Sequence, residues 1–289
     1  MKKTNYVFFI LIILSFLSVL GALYLFLYRK NKSKSKESFT NKPHPVVVSL
    51  TTSPRRIPHI KKLLDTLTNQ TVPPDAIVLN LPYVFKRNNS TFDEIPPFIT
   101  ENPVIKVNRC EDIGPATKIL PTVSLFSNPE TILISVDDDI EYRNNFIETL
   151  LKYNAKAPNA VITGQTFMLL DNKNDDGLIY GEMVEGFSSV LYKKKHFDNF
   201  DMNELLNYPR ECYFADDFIL SNYLRKEGID IIVTSEPDNN KLTVNTLLDY
   251  GTQDDALHKG AEGGNIDNYK KCSAYLKSIG QLYIKHYDT

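Results

Sequence analysis

Residues 131–142 read TILISVDDDIEY, and the arrangement of the rest of the chain follows from this stretch. Ile132, Leu133, Ile134 and Val136 form a short, β-branched apolar run of the kind a buried parallel strand requires. The run ends abruptly in Asp137, Asp138 and Asp139. In open α/β sheets ligands bind beyond the carboxyl ends of the strands, so a core strand here delivers three acids to the place where a functional crevice forms. Adjacent carboxylates repel one another and resist desolvation, and a hard divalent cation such as Mg²⁺ or Mn²⁺ relieves both penalties. Taken alone, the triplet also reads as a solvated acidic turn that caps the next helix.

Upstream, residues 46–50 (VVVSL) read as a first strand, followed by the glycine-free loop Thr51, Thr52, Ser53, Pro54, Arg55 and Arg56. A helix fits residues 57–67, with Ile60, Leu63, Leu64 and Leu67 on one face, and residues 76–81 form a second strand after Pro73 and Pro74. This βαβ opening predicts parallel pairing and a right-handed crossover. Thr51, Arg55 and Arg56 stand at the functional end of the first strand, where the arginines are placed to meet a nucleotide or its phosphates; a solvated or helix-capping pair is the alternative. Residues 82–102 are a polar, proline-interrupted loop, with glycosylation sequons at Asn88 and Asn89 and another at Asn69. Residues 104–107 suggest a third strand. Gly114 and Pro115 then force a turn, and Thr117 and Lys118 emerge at the start of an apolar helical segment reaching Phe126, a position suited to gripping an anion. An ordinary surface lysine is the competing reading.

Downstream, residues 144–154 read as a helix, 160–164 as a strand and 173–177 as a turn. Residues 185–192 pass from a small-residue turn into a strand, so backbone approaches a ligand most closely at Gly186. Ala215, Asp216 and Asp217 open a helix over residues 217–227, which stops at Gly228 before the strand 229–233. Acids in a first helical turn ordinarily cap it and complement its dipole. His258, one of 5 histidines, lies in a glycine-rich loop ahead of a final helix over residues 266–279.

The composition of the 289 residues is that of a folded protein: 42% hydrophobic, 24% charged and a net charge of −2, which argues against nucleic acid as a partner. Cys110, Cys212 and Cys272 lie far apart without a CxxC, so no zinc site forms among them; buried free thiols are expected, with one bridge as the alternative. After a tail of residues 1–5, residues 6–28 are an unbroken apolar stretch, long enough for one transmembrane anchor. Residues 29–45 form a basic, polar stalk, and residues 46–289 remain for a single α/β domain. The basic flank at Arg29, Lys30, Lys32, Lys34 and Lys36 argues for a cytoplasmic domain by the positive-inside tendency.

The βαβ opening, the strand ending in Asp137, Asp138 and Asp139, the later Ala215-Asp216-Asp217 at a helix start and the histidine beyond it together resemble the GT-A fold of nucleotide-sugar-dependent glycosyltransferases, the family 2-like group in particular. The resemblance implies a Rossmann-like mixed, mostly parallel sheet flanked by helices and preceded by one transmembrane helix. It implies a metal-dependent, inverting transferase using a nucleotide-sugar donor, a UDP-sugar favoured, and a glycan, protein or lipid acceptor. By the same resemblance, the triplet matches the fold's Asp-x-Asp motif. Asp137 and Asp139 would hold Mn²⁺ or Mg²⁺ with His258 completing the shell, Asp137 and Asp138 would meet the donor with Thr51, Arg55 and Lys118, and Asp217 would be the base with Asp216 orienting it. It also favours a Golgi or ER type II arrangement over the cytoplasmic one. A carbohydrate-binding or catalytically degenerate domain, a nucleotidyltransferase and a phosphatase are the rival classes. The glycine-free first loop and Glu141 two residues beyond the last Asp of the triplet speak against the last two.

Overall fold

The computed structural model describes residues 44–170, 176–234, 242–246, 257 and 260–285. All of them belong to the compact unit Lys42–Thr289, which is distinct from the unit Met1–Asn41. In chain order the elements begin with β1 (Val46–Thr51), α1 (Lys61–Thr68), β2 (Ala76–Pro82), α2 (Pro97–Thr100), β3 (Ile105–Cys110), α3 (Leu120–Val123), β4 (Ile132–Ser135), β5 (Ile140–Tyr142), α4 (Phe146–Lys156) and β6 (Val161–Thr163). The second half adds β7 (Ile179–Gly181), β8 (Val190–Lys193), α5 (Met202–Asn207), α6 (Arg210–Tyr213), α7 (Asp216–Lys226), β9 (Ile231–Val233), β10 (Thr243–Thr246) and α8 (Asn265–Ser278).

Eight strands form one sheet in the order β3-β2-β1-β4-β8-β6-β9-β7, and β10 pairs with β5 in a separate antiparallel ribbon. The half from β3 to β4 is wholly parallel, as the βαβ opening predicts. Beyond β4 the sheet is mixed: β8 runs antiparallel to β4 and β6, β6 is parallel to β9, and β7 is antiparallel to β9. The reversal at β8 follows from its approach. The turn that precedes it lies at the carboxyl ends of the parallel strands, so β8 must run back the other way. The chain lays β1, β2 and β3 outward and then returns to set β4 against the other side of β1. Connections leaving these two strands diverge, and the crevice opens beyond their carboxyl ends.

Burial explains why these elements form where they do. Val47, Val48 and Leu50 of β1, all of β2 and all of β4 are buried, so these strands read as near-continuous apolar runs, interrupted by the buried Ser49, Asn80 and Ser135. Helix α1 turns Leu63, Leu64 and Leu67 inward and leaves Lys61, Lys62 and Asp65 in water, each buried leucine contributing about 2 kcal/mol. Two expected helices are shorter than the apolar pattern suggests. The segment from residue 57 starts as a 3-10 turn around Pro58, and the one after Lys118 is a 3-10 turn followed by α3. Proline fits only a first helical turn, so Pro121 begins a new helix instead of continuing one.

The cysteines correct one expectation. Cys212 and Cys272 form a disulfide between α6 and α8, and Cys110 is free, its thiol pushed up to about 12 by burial and the nearby Asp112. Asn69, Asn88 and Asn89 are exposed. Among the described residues no helix is long and apolar enough to cross a membrane; the expected anchor at residues 6–28 lies outside them, as does His258.

Candidate active site

A cleft of about 430 Å³ opens at the β1/β4 switch point. One wall is built by the ends of β1 and β4 and the other by α6, the start of α7 and α8, with Lys118 and Phe187 between them. The sequence thus sends two separate acidic stretches, 80 residues apart counting from Asp137 to Asp217, into one crevice.

The three strand-end acids differ in what they do. Asp138 turns into the protein, where Oδ2 accepts a hydrogen bond from the Thr52 hydroxyl at 2.6 Å and Oδ1 one from Arg56 Nη1 at 2.7 Å. It braces the loop after β1 while lining the cleft where the sequence reading has it meet the donor. Asp137 remains more open, with Oδ1 accepting from Lys118 Nζ at 2.9 Å and its backbone N–H donating to the Tyr142 hydroxyl at 3.0 Å. That hydroxyl donates onward to the Phe187 carbonyl at 3.1 Å, so β5 ties the acidic turn to the 186–189 loop. Asp139 lies 3.6 Å from Arg56 Nη1. Burial, then the charges of Asp138 and Asp137, push its carboxyl up to about 7 against the pull of Arg56.

Lys118 joins the two walls. Its side chain is 7% exposed, and Nζ lies 2.9 Å from Asp137, 3.0 Å from Asp216 Oδ2 and 3.7 Å from Asp217 Oδ1. Burial alone would pull its pKa down, but the three carboxylates hold it well above the ordinary lysine value. Although Asp216 Oδ2 is within ion-pair distance of this ammonium, it has no aligned hydrogen-bond donor. The contact is therefore electrostatic and not a directed hydrogen bond. The lysine grips protein carboxylates where the sequence suggested a ligand anion.

Asp217 sits in the first turn of α7 with Oδ2 accepting from the Gly186 N–H at 3.0 Å. Burial, then Asp216, push it up to about 7, and Lys118 opposes the shift. Gly186 is required here because a Cβ would stand 2.2 Å from Lys118 Nζ and 2.8 Å from Asp217 Oδ1. The close approach flagged in the sequence at Gly186 is to these two side chains. Gly114, with φ +72°, allows a second close approach: a Cβ there would lie 2.6 Å from the Tyr213 carbonyl, and the Tyr213 hydroxyl donates to Asp112 Oδ1 at 3.0 Å.

Thr51 lines the cleft, but its hydroxyl donates to the Asn80 carbonyl at 2.8 Å. Of the two arginines that the sequence reading places at this strand end, Arg56 lines the cleft and Arg55 is exposed and outside the lining. Neighbouring arginines in a turn cannot be told apart by pattern. Thr52, Tyr142, Tyr213 and Tyr269 are cleft or brace residues without a sequence signal, because each acts through a partner distant in the chain. Among the described residues no group of three or more His, Cys, Asp or Glu side chains converges as a metal cage.

No protein-family model matches the chain, and no curated protein matches it. Among solved structures it is similar to the mannosyltransferase PcManGT from Pyrobaculum calidifontis in complex with GDP-Man and Mn²⁺, with a TM-score of 0.46 and 15% identity over 81% of this chain and 68% of that one. It is also similar to S. aureus TarS 1-349 in complex with UDP, with a TM-score of 0.44 and 13% identity over 66% of this chain and 58% of that one. This chain therefore spans less than two thirds of the TarS structure.

Proposed function

We propose that the domain is a metal-assisted, inverting glycosyltransferase that moves a sugar from a nucleoside-diphosphate sugar to an acceptor hydroxyl. The observation that carries this reading is the pairing, in one cleft at the sheet's switch point, of strand-end acids on one wall with a buried carboxylate of raised pKa on the other.

The donor set suits a hard cation. Asp137 and Asp139 are oxygen ligands, and Asp139 is raised first by burial and then by the charges of Asp138 and Asp137, which Arg56 does not offset. Two carboxylates completed by substrate phosphates and water are the usual way Mg²⁺ is bound. Asp137 and Asp139 would hold the ion, and the resemblance adds His258 from outside the described residues. When bound, the ion supplies electrostatic stabilisation to the departing diphosphate.

The chain's own part in the chemistry is on the opposite wall. The Gly186 N–H fixes Oδ2 of Asp217, leaving Oδ1, 3.7 Å from Lys118, to take the acceptor's proton as its oxygen attacks. A carboxylate raised to about 7 is a stronger base than an ordinary aspartate and is still about half ionised at neutral pH. A base facing the sugar from the side opposite the leaving group gives inversion. Lys118 holds the spacing of the two walls by its ion pairs to Asp137 and Asp216.

The test is turnover of the full chain against a panel of nucleoside-diphosphate sugars, UDP-sugars first, with and without Mn²⁺. Asp139→Asn is expected to abolish metal-dependent turnover in a folded protein. Asp217→Asn is expected to keep donor binding while transfer falls about 1,000-fold, within the range attributed to general bases. Consumption of no donor under any condition, or full transfer by Asp217→Asn, would refute the reading.

A further inference from the structure

We propose that the Cys212–Cys272 disulfide positions the base-bearing wall of the cleft, so that the oxidised chain is the competent form. The activity arm rests on the transferase reading; the geometry does not. Cys212 lies in α6, four residues ahead of Asp216 at the start of α7, and Cys272 lies in α8, one turn beyond Tyr269. Both are fully buried, with their Cα atoms 4.9 Å apart.

Helix α6 is 4 residues long, far too short to hold its own shape, so its place is set by what anchors it. Tyr213 ties it to Asp112 and Gly114 across the cleft. The next residue, Phe214, lies under the guanidinium groups of Arg210 at 4.9 Å and Arg87 at 5.6 Å. Neither anchor joins α6 to α8. The disulfide is the buried connection between them, beside an exposed Glu211–Lys271 ion pair at 4.0 Å, and α8 carries Tyr269, which lines the same cleft and packs on Phe218, directly after Asp217, with ring centroids 5.8 Å apart. One covalent bond thus fixes both flanks of Asp217: the segment leading into it and the helix packed beside it.

The bond forms by thiol–disulfide exchange. One cysteine thiolate attacks the disulfide of an oxidising partner, and the second displaces that partner; two electrons and two protons leave the cysteine pair, and the partner departs as a dithiol. Disulfide oxidants of this class act in oxidising compartments. This favours an oxidising compartment for the domain, against the cytoplasmic reading from the basic flank.

The experiment uses the full chain expressed through an oxidising compartment. Alkylation in denaturant is expected to label one thiol, Cys110, before reduction and three after it. Cys212→Ala/Cys272→Ala, measured well below its Tm, is expected to lose at least 10-fold in kcat while the KM for the nucleotide sugar stays within twofold. Hydrogen exchange over residues 210–217 is expected to speed up at least 10-fold while β1 and β4 are unchanged. If the double variant does not fold, wild-type chain reduced with dithiothreitol serves in the same comparisons. Three reactive thiols before reduction, an unchanged kcat, or unchanged exchange over residues 210–217 would overturn the proposal. Should no donor be turned over, the labelling and exchange arms still decide it.

Discussion

Replacing Gly186 by alanine adds one methyl group where Lys118 and Asp217 meet the backbone. The added carbon would stand 2.2 Å from Lys118 Nζ and 2.8 Å from Asp217 Oδ1, where ordinary contact begins at 3.4 Å. A lysine tip usually swings away from such a clash. This one is held by Asp137 at 2.9 Å and Asp216 at 3.0 Å and is nearly sealed from water, so a shift of more than an ångström breaks at least one of those contacts. Losing a hydrogen bond to a charged group costs about 1.5–3 kcal/mol, and overpacking adds about 1–3 kcal/mol. A total near 4 kcal/mol lowers Tm by about 8–16 °C in a domain of this size. Displacing the base by about an ångström also lowers kcat about 100-fold. Calorimetry, with kinetics at a temperature where the variant is folded, measures both. Gly228→Ala is the control: its φ is +67° but nothing lies within 4 Å of an added carbon, so it costs about 1 kcal/mol of left-handed backbone strain and keeps its kcat. Wild-type Tm and kcat in Gly186→Ala would show that Lys118 and Asp217 do not crowd this glycine, and the base assignment would lose its geometric support.

The transfer rate is expected to rise with pH through an apparent pKa near 7, because Asp217 accepts a proton only as the carboxylate; a flat kcat profile from about pH 5 to 9 would remove it as base. The same shift lowers stability as pH rises. Between about pH 4 and 7 the folded chain keeps a proton that the unfolded chain has released, so stability falls across that window and levels off above it, which urea titrations at several pH values measure. Lys118→Met leaves Asp137, Asp216 and Asp217 without their shared cation and is expected to cost about 3–5 kcal/mol in urea unfolding at pH 8; unchanged stability would mean that the ion pairs do not form. By calorimetric titration with Mn²⁺, Asp138→Asn is expected to keep metal affinity and lower Tm, whereas Asp139→Asn loses the affinity. Equal losses would show that Asp138 is not confined to bracing Arg56.

Local pattern carries far in this chain. The apolar runs of β1, β2 and β4 are legible because a strand buried on both faces must be apolar throughout, and Asp137 to Asp139 and Asp216 to Asp217 are legible because acids at a strand end or helix start stand out against such runs. The parallel half of the sheet follows from the βαβ order alone. Which partner each polar group takes is a different question. That Asp138 turns away to Thr52 and Arg56, that Lys118 spans the cleft, that Arg56 and not Arg55 faces it, and that Cys212 finds Cys272 across 60 residues are all contacts between segments with no periodic relation in sequence. Period and composition determine what a segment becomes. Only packing brings carboxylates from two distant segments, Asp137 and Asp216–Asp217, within reach of one ammonium, and it is their burial there, then the charge of Asp216, that raises the pKa of Asp217, while the crowding at Lys118 and Asp217 calls for glycine at residue 186.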